Sequence, residues 1–326
     1  MSTATETSPR RVRVLLTNDD GPPGVESPFI FGFAQHLSQA LGWEVRVVVP
    51  SSQKSWIGKA FHIKDEVKGR YYYPKEPDGL GETSDTSRPL REGEVAEWIL
   101  LDGTPATCSN IALHNFWPGE IDLVISGPNL GRNTSSAFAL SSGTIGAAMS
   151  GALTGARSIA LSYGIFLKHT PKSLHTPAHD LATRIISRLY SQWGTSALPP
   201  AELYSVNIPM IESLSSTNTR VCWTRMWRNR YGRLFAAHAP ASSASEKESA
   251  GALPETGLGP LLFRFSPAFE DLVSPRLENL PVGTDGWAIH SDHISVTPLI
   301  ASFAEGAGPM VQDASNADDP AYWKDL

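Results

Sequence analysis

The stretch Val12-Arg13-Val14-Leu15-Leu16-Thr17-Asn18-Asp19-Asp20-Gly21-Pro22-Pro23-Gly24 decides how this chain is read. An apolar run bounded by glycine and proline reads as a buried β-strand, here residues 12–17. Asp19 and Asp20 then stand at the carboxyl end of that strand, the edge at which open α/β sheets bind ligands. Adjacent carboxylates repel each other unless a cation sits between them or one keeps a proton. A divalent metal bound through oxygen meets that condition. Paired acids before a glycine also form turns and cap helices, so the dipeptide by itself leaves both readings open.

Downstream of this stretch, helical and strand patterns alternate. Ser27-Pro28 reads as a helix cap followed by proline at the first helical position, and Ile30, Phe33, Ala34, Leu37 and Leu41 follow at helical spacing. Residues 44–49, ended by Pro50, read as a second strand, and residues 98–101, 121–125, 158–161 and 203–208 as further strands. Helices are expected after Thr104-Pro105, over residues 143–154 (all small side chains at the contact positions), and after Thr176-Pro177. The Gly/Asn/Ser-rich residues 127–142 read as a loop. This alternation predicts an α/β fold, a mostly parallel sheet with helices on both faces. Residues 221–225, 261–265 and 293–298 read as strands without helices between them, a β-rich C-terminal extension. Residues 1–10 and 306–326 read as tails, 11–305 as the folded body, 64–97 as an insertion with a hairpin around Tyr72, and 238–260 as a mobile loop.

The chain has 326 residues, 41% of them hydrophobic, and a net charge of −6. The acidic balance disfavours a nucleic-acid partner, and no groove-lining basic stripe appears. Arg225, Arg228, Arg230 and Arg233 cluster beside Trp223 and Trp227, which suits a local anion contact. Cys108 and Cys222 are too far apart for a zinc spacing or a disulfide framework, which fits a reducing compartment. Residues 1–11 lack the apolar core of a secretory signal, and no run is long enough to span a membrane. A cytoplasmic protein is expected.

Four oxygen-rich segments fall at the carboxyl edge of the expected sheet: residues 18–21, 50–55, 126–133 and 141–144. Asp19 and Asp20 offer anionic oxygens, and Ser55 and Asn129 neutral ones, a donor set suited to Mg²⁺, Mn²⁺ or Ca²⁺ rather than zinc. Ser142, Gly143 and Thr144 open a helix whose free N–H groups suit an anion. A metal beside an anion cradle is what hydrolysis of a phosphate ester needs, with Asn133 placed to hold the phosphoryl oxygens. Taken singly, each segment has a plainer reading: Ser55 solvated, Asn129 a turn residue, Ser142 a helix cap. No G-x-S-x-G elbow, Walker A loop or G-x-G-x-x-G after the first strand is present. His290 and His293 near Asp285 and Asp292 read as structural.

In order, Asn18-Asp19-Asp20-Gly21, Ser55, Gly103-Thr104-Pro105, Ser126-Gly127-x-Asn129-x-Gly131-x-Asn133 and Ser142-Gly143-Thr144 resemble the SurE survival-protein family. Val206-Asn207-Ile208-Pro209, Thr284-Asp285 and Ser295-Val296-Thr297-Pro298-Leu299 are similar to its later segments. The resemblance covers roughly residues 12–300 and implies a Rossmann-like core. It also implies a phosphatase that hydrolyses nucleoside 5′- and 3′-monophosphates using a divalent metal and water. The implied metal ligands are Asp19, Asp20, Ser55 and Asn129, and the implied phosphate neighbours are Asn133, Ser142, Gly143 and Thr144. A homodimer or homotetramer joined through the C-terminal region is implied as well. Two other readings stay open: a phosphatase in which Asp19 attacks phosphorus directly, and an inactive nucleotide-binding module. Thr107 stands where many members carry Asp, Ser141 replaces a frequent tyrosine, and the two insertions resemble eukaryotic members.

Overall fold

Val14, Leu15 and Leu16 are completely buried, so the first strand contacts protein on both of its faces. Side chains alternate along a strand. Val14 and Leu16 pack with Val47, Val49, Ile125 and Leu161 on one side, whereas Leu15 meets Val48, Val124 and Cys108 on the other. Each such leucine contributes about 1.5–3 kcal/mol by leaving water. A strand buried in this way belongs in the middle of a covered parallel sheet.

The computed structural model describes residues 10–165, 170–215, 219–237, 261–267 and 275–304. Of the expected tails and the expected mobile loop, residues 1–9, 238–260 and 306–326 lie outside the described residues. Six parallel strands form the centre: β1 (Arg13–Thr17), β2 (Glu44–Pro50), β5 (Trp98–Leu101), β6 (Leu123–Leu130), β7 (Ser158–Gly164) and β8 (Leu203–Pro209). Their spatial order is β5-β2-β1-β6-β7-β8. The chain therefore winds outward one way from β1 and the other way from β6, which leaves a crevice between those two strand ends.

Helices cover both faces. α1 (Ile30–Leu41) and α5 (His175–Gln192) pack on one, α2 (Pro105–Ile111) and α4 (Gly143–Leu153) on the other. The small residues of α4 let α2 approach until Ser109 and Ser150 hydroxyls bond main-chain carbonyls across the pair, at 3.0 and 3.1 Å. Further strands extend each edge. β3 (Gly69–Pro74) and β4 (Gly81–Ser84) form a hairpin antiparallel to β5, so the 64–97 insertion enlarges the sheet. β12 (Ile294–Leu299) runs antiparallel to β8, with β9 (Val221–Trp223) outside it. β10 (Phe235–Ala237) and β11 (Phe263–Phe265) pair separately.

Several local expectations need correction. Residues 127–142 are not one loop: β6 runs on to Leu130, α3 (Ser135–Ser141) follows, and only 131–134 between them stay irregular. Gly127 serves close approach instead. At Gly127, φ is +125° and a Cβ would lie 2.1 Å from the Leu161 carbonyl oxygen. Ser27 does not cap α1, which starts at Ile30; its hydroxyl accepts a 2.9 Å bond from Asn18. Thr176 does not cap α5, which begins one residue earlier. A helix, α6 (Asp285–His290), precedes β12 in the C-terminal extension.

Candidate active site

The turn after β1 is built by Asn18. Its side-chain amide donates to the Gly21 carbonyl (2.8 Å), and its Oδ1 accepts the Gly21 N–H (3.0 Å). This clamp fixes Asp19 and Asp20 at the mouth of the β1–β6 crevice, each 4% exposed. Burial pushes both carboxyls up, Asp20 to about 8, with the charge of Asp19 adding to the push on Asp20. The Leu130 N–H opposes it by donating to Asp20 Oδ2 at 2.7 Å. On Asp19 the Thr144 hydroxyl (2.5 Å to Oδ1) and the main-chain amides of Gly143 and Thr144 act the same way. Two buried neighbouring acids that burial and mutual repulsion drive toward protonation form a site that a cation stabilises, and a divalent ion there reverses both shifts.

The other elements converge on this pair. α4 begins at Gly143, with Ser142 as its N-cap accepting from the Ile145 N–H at 3.1 Å. The fit against Asp19 requires a glycine, because a Cβ at Gly143 would lie 2.7 Å from the Asp19 Cβ. The loop after β2 is tied in twice: the Lys54 N–H donates to the Asp19 carbonyl (2.7 Å), and the Gly58 N–H to the Ser141 carbonyl (2.8 Å). From β6, the Asn129 amide donates to the Gly131 carbonyl at 2.8 Å, which leaves Oδ1 as its acceptor. Asn133 is held by its N–H to Asn207 Oδ1 (2.8 Å) and by Nδ2 to the Ser162 hydroxyl (3.0 Å).

A cavity of about 160 Å³ results, lined by Asp19, Ser55, Asn129, Asn133 and Ser142 among others. Gly143 and Thr144 touch its floor through Asp19. Asp20 stands beside it, bonded to Leu130. Five of the eight residues singled out in the sequence thus line the cavity, while Asp20, Gly143 and Thr144 do not and reach it through Leu130 and Asp19. A larger groove of about 810 Å³ runs along α5 past Leu198 and Trp223, and none of the eight lines it. Among the described residues, no group of three or more His, Cys, Asp or Glu is placed to hold a metal.

Three contributors were not visible as such in the sequence. Arg132 lines the cavity; burial lowers its guanidinium to about 10, so it remains a cation at neutral pH. Trp56 and Phe138 line it too. A lone arginine between glycine and asparagine, or a tryptophan after a serine, carries no spacing signal. Asp285 is structural: its carboxylate accepts the N–H groups of Ser135, Trp227 and Gly286 at 2.7–2.8 Å, pinning the C-terminal segment to the start of α3. Burial lowers His290 to about 4, with the charge of Arg132 adding to the effect.

Comparison with known proteins adds three findings. The family model described as survival protein SurE matches residues 14–233. A protein of Saccharomyces cerevisiae described as probable tubulin–tyrosine ligase PBY1 is 37% identical over 90% of this chain, and the chain spans 41% of that relative's length. The 5′-nucleotidase SurE of Thermosynechococcus vestitus is 30% identical, with 93% of this chain and 95% of that protein aligned. In fold, the crystal structure of the SurE protein from Aquifex aeolicus superposes with a TM-score of 0.58 at 22% identity, covering 90% of this chain and 94% of that one.

Proposed function

This chain belongs to the survival protein SurE family, and from that premise we propose that it is a divalent-metal-dependent phosphomonoesterase acting on nucleoside monophosphates and other phosphate monoesters. The observation that carries the reading is the buried Asp19–Asp20 pair packed directly against the start of α4, with Asp19 lining the cavity. The donor set fits Mg²⁺ or Mn²⁺, since it is entirely oxygen and includes two carboxylates whose burial is unfavourable without a cation. Asp19, Asp20, Ser55 and Asn129 would hold the ion. When bound, it would polarise a phosphoryl oxygen and make water a better nucleophile at neutral pH.

The residues of the chain do the rest. The Ser142-Gly143-Thr144 turn opens α4 against Asp19: the Gly143 and Thr144 N–H groups and the Thr144 hydroxyl act on that carboxylate, and a phosphate brought to this helix start would compete with Asp19 for those donors. Asn133, immobilised by Asn207 and Ser162, is oriented to hold a phosphoryl oxygen, and Arg132 supplies positive charge as negative charge spreads over the group in transfer. Thr144 fixes the rotamer of Asp19, and Leu130 that of Asp20. The ligase name of the yeast relative describes a protein more than twice as long as the part aligned and is not carried over.

The test is phosphate release from AMP and p-nitrophenyl phosphate by the purified chain with Mn²⁺ or Mg²⁺ and with chelator. Metal-stimulated release is expected, and no release with any divalent ion overturns the reading in favour of a nucleotide-binding module. Asp19 lines the cavity where Asp20 does not, which is what direct attack by Asp19 would also require. A phosphoryl adduct trapped on Asp19 would establish that route instead. A homodimer or homotetramer is the proposed assembly, supported by the exposed C-terminal apolar side chains Leu261, Phe263 and Phe303. Light scattering on the eluting protein checks it, and a monomer at micromolar concentration overturns it.

A further inference from the structure

Beside its ionic half, the cavity has a wall of different chemistry. Trp56 follows Ser55 directly and lines the cavity together with Phe138. The backbone φ of Trp56 is +63°, a left-handed conformation that is a genuine outlier for a bulky side chain. Glycine would adopt that turn without strain. Strained backbone of this kind persists where the surroundings enforce it, and it clusters at ligand sites.

The surroundings are aromatic. The Trp56 ring lies 5.3 Å from Phe265, 5.9 Å from Phe138 and 6.0 Å from Tyr231, centre to centre, in edge-on or tilted contacts. Phe265 in turn meets Phe235 at 5.5 Å. These rings come from the loop after β2, from α3, from the segment before β10, and from β10 and β11. The Tyr231 hydroxyl donates to the Ala137 carbonyl at 2.5 Å, which fastens that segment to α3. The cluster is nevertheless not sealed as a core would be: Tyr231 is 43% exposed and Phe265 46%, while Trp56 and Phe138 are half-buried.

Size places the ligand. Sites that engulf a whole organic ligand run to about 300–1,000 Å³. At about 160 Å³ this cavity has room for the phosphate end and not for a whole nucleotide, and the rings of Trp56 and Phe138 line it. Aromatic side chains hold a planar ring by stacking, with little dependence on which base is presented.

We infer that Trp56, backed by Phe138, Tyr231 and Phe265, is the binding site for the organic part of the substrate, where it stacks a nucleobase and so sets a preference for nucleoside monophosphates over aliphatic phosphate esters. The inference rests on the phosphomonoesterase reading for the position of the phosphate. It does not depend on that reading for the stacking itself.

The experiment uses the full chain and the variants Trp56→Gly and Trp56→Phe, with AMP and glycerol 2-phosphate as substrates and adenosine as a ligand without phosphate. In Trp56→Gly, kcat/KM for AMP falls about tenfold or more through KM. Glycerol 2-phosphate, which has no ring, loses no more than about twofold. Adenosine binding measured by calorimetry weakens by the same factor as AMP, and Trp56→Phe recovers most of it. Equal losses on both esters would assign Trp56 to holding the Ser55 loop and overturn the inference, as would unchanged values on both. If the wild-type chain hydrolyses neither ester, the hydrolytic reading falls, and adenosine still decides the stacking site. Weaker binding in Trp56→Gly upholds it; equal or absent binding ends it.

Discussion

Asp19 and Asp20 face an electrostatic conflict that only their surroundings relieve. Side by side and 4% exposed, they cannot both carry a full charge away from water without a compensating cation or donors. The donors present are one hydroxyl and a few main-chain amides, enough to orient two carboxylates and too few to neutralise them. Asp19→Asn or Asp20→Asn removes an anionic oxygen while keeping the shape. Metal-stimulated phosphate release is expected to fall by about a hundredfold or more, with the circular dichroism spectrum unchanged. Wild-type turnover in either variant would remove the pair from the chemistry. Thr144 acts one step back, through its 2.5 Å bond to Asp19. Thr144→Val is expected to raise the Mn²⁺ concentration needed for half-maximal activity about 10–100-fold, and Thr144→Ser to restore it. A metal titration of the three proteins reads this directly, and equal titrations would make the hydroxyl incidental.

At the scale of elements, two packing contacts admit sharp tests. β6 and β7 approach so closely at Gly127 that a methyl group there would overlap the Leu161 carbonyl, and φ is already left-handed. Gly127→Ala is expected to destabilise the fold by about 2–4 kcal/mol through strain and overpacking, read as a lower urea midpoint; an unchanged midpoint would mean the two strands part without cost. On the opposite face, α5 places His179 against α1, where its Nδ1 pairs with the Tyr163 hydroxyl at 2.9 Å. Burial lowers His179 to about 3, and the nearby His175 and His36 add to the effect. The folded protein therefore keeps this ring neutral while the unfolded chain protonates it near pH 6.5. Stability from this residue is intact above pH 6.5 and is lost as pH falls from there toward 3. Between pH 7 and pH 5 the loss is about 2 kcal/mol. Urea unfolding of wild type and His179→Gln at both values should show the wild type losing more by that amount. Parallel losses would exclude the histidine.

The molecule as a whole couples the site to its stability. The crevice lies where the winding of the sheet reverses, and α4, the loop after β2 and the pinned C-terminal segment meet there. A cation bound at that junction stabilises the folded state alone. At a hundred times its dissociation constant, Mn²⁺ is expected to contribute about 2.7 kcal/mol, a rise of roughly 5 °C or more in Tm for a body of this size. Chelator should abolish the rise, and Asp19→Asn should show little of it. A Tm indifferent to Mn²⁺ and Mg²⁺ would count against the site irrespective of any activity assay.

Much of this was legible in the residues alone. Alternating apolar strands and amphipathic helices announce a covered parallel sheet, because burial on one or two faces imposes periods that the chain must carry locally. The acids and amides of the candidate site were legible as neighbours, since each lies at or just after a strand end and strand ends share one edge; the start of α4 instead follows α3. Residues 127–142 read as a loop because glycine signals a turn, whereas Gly127 serves here to let β7 come close. The antiparallel strands on both edges, and the ring of Trp56, Phe138, Tyr231 and Phe265, depend on contacts between segments up to about two hundred residues apart. Periodicity reports what a residue turns toward its own element's core. Which distant side chain it meets there is set by how the layers close, and only the folded chain decides that.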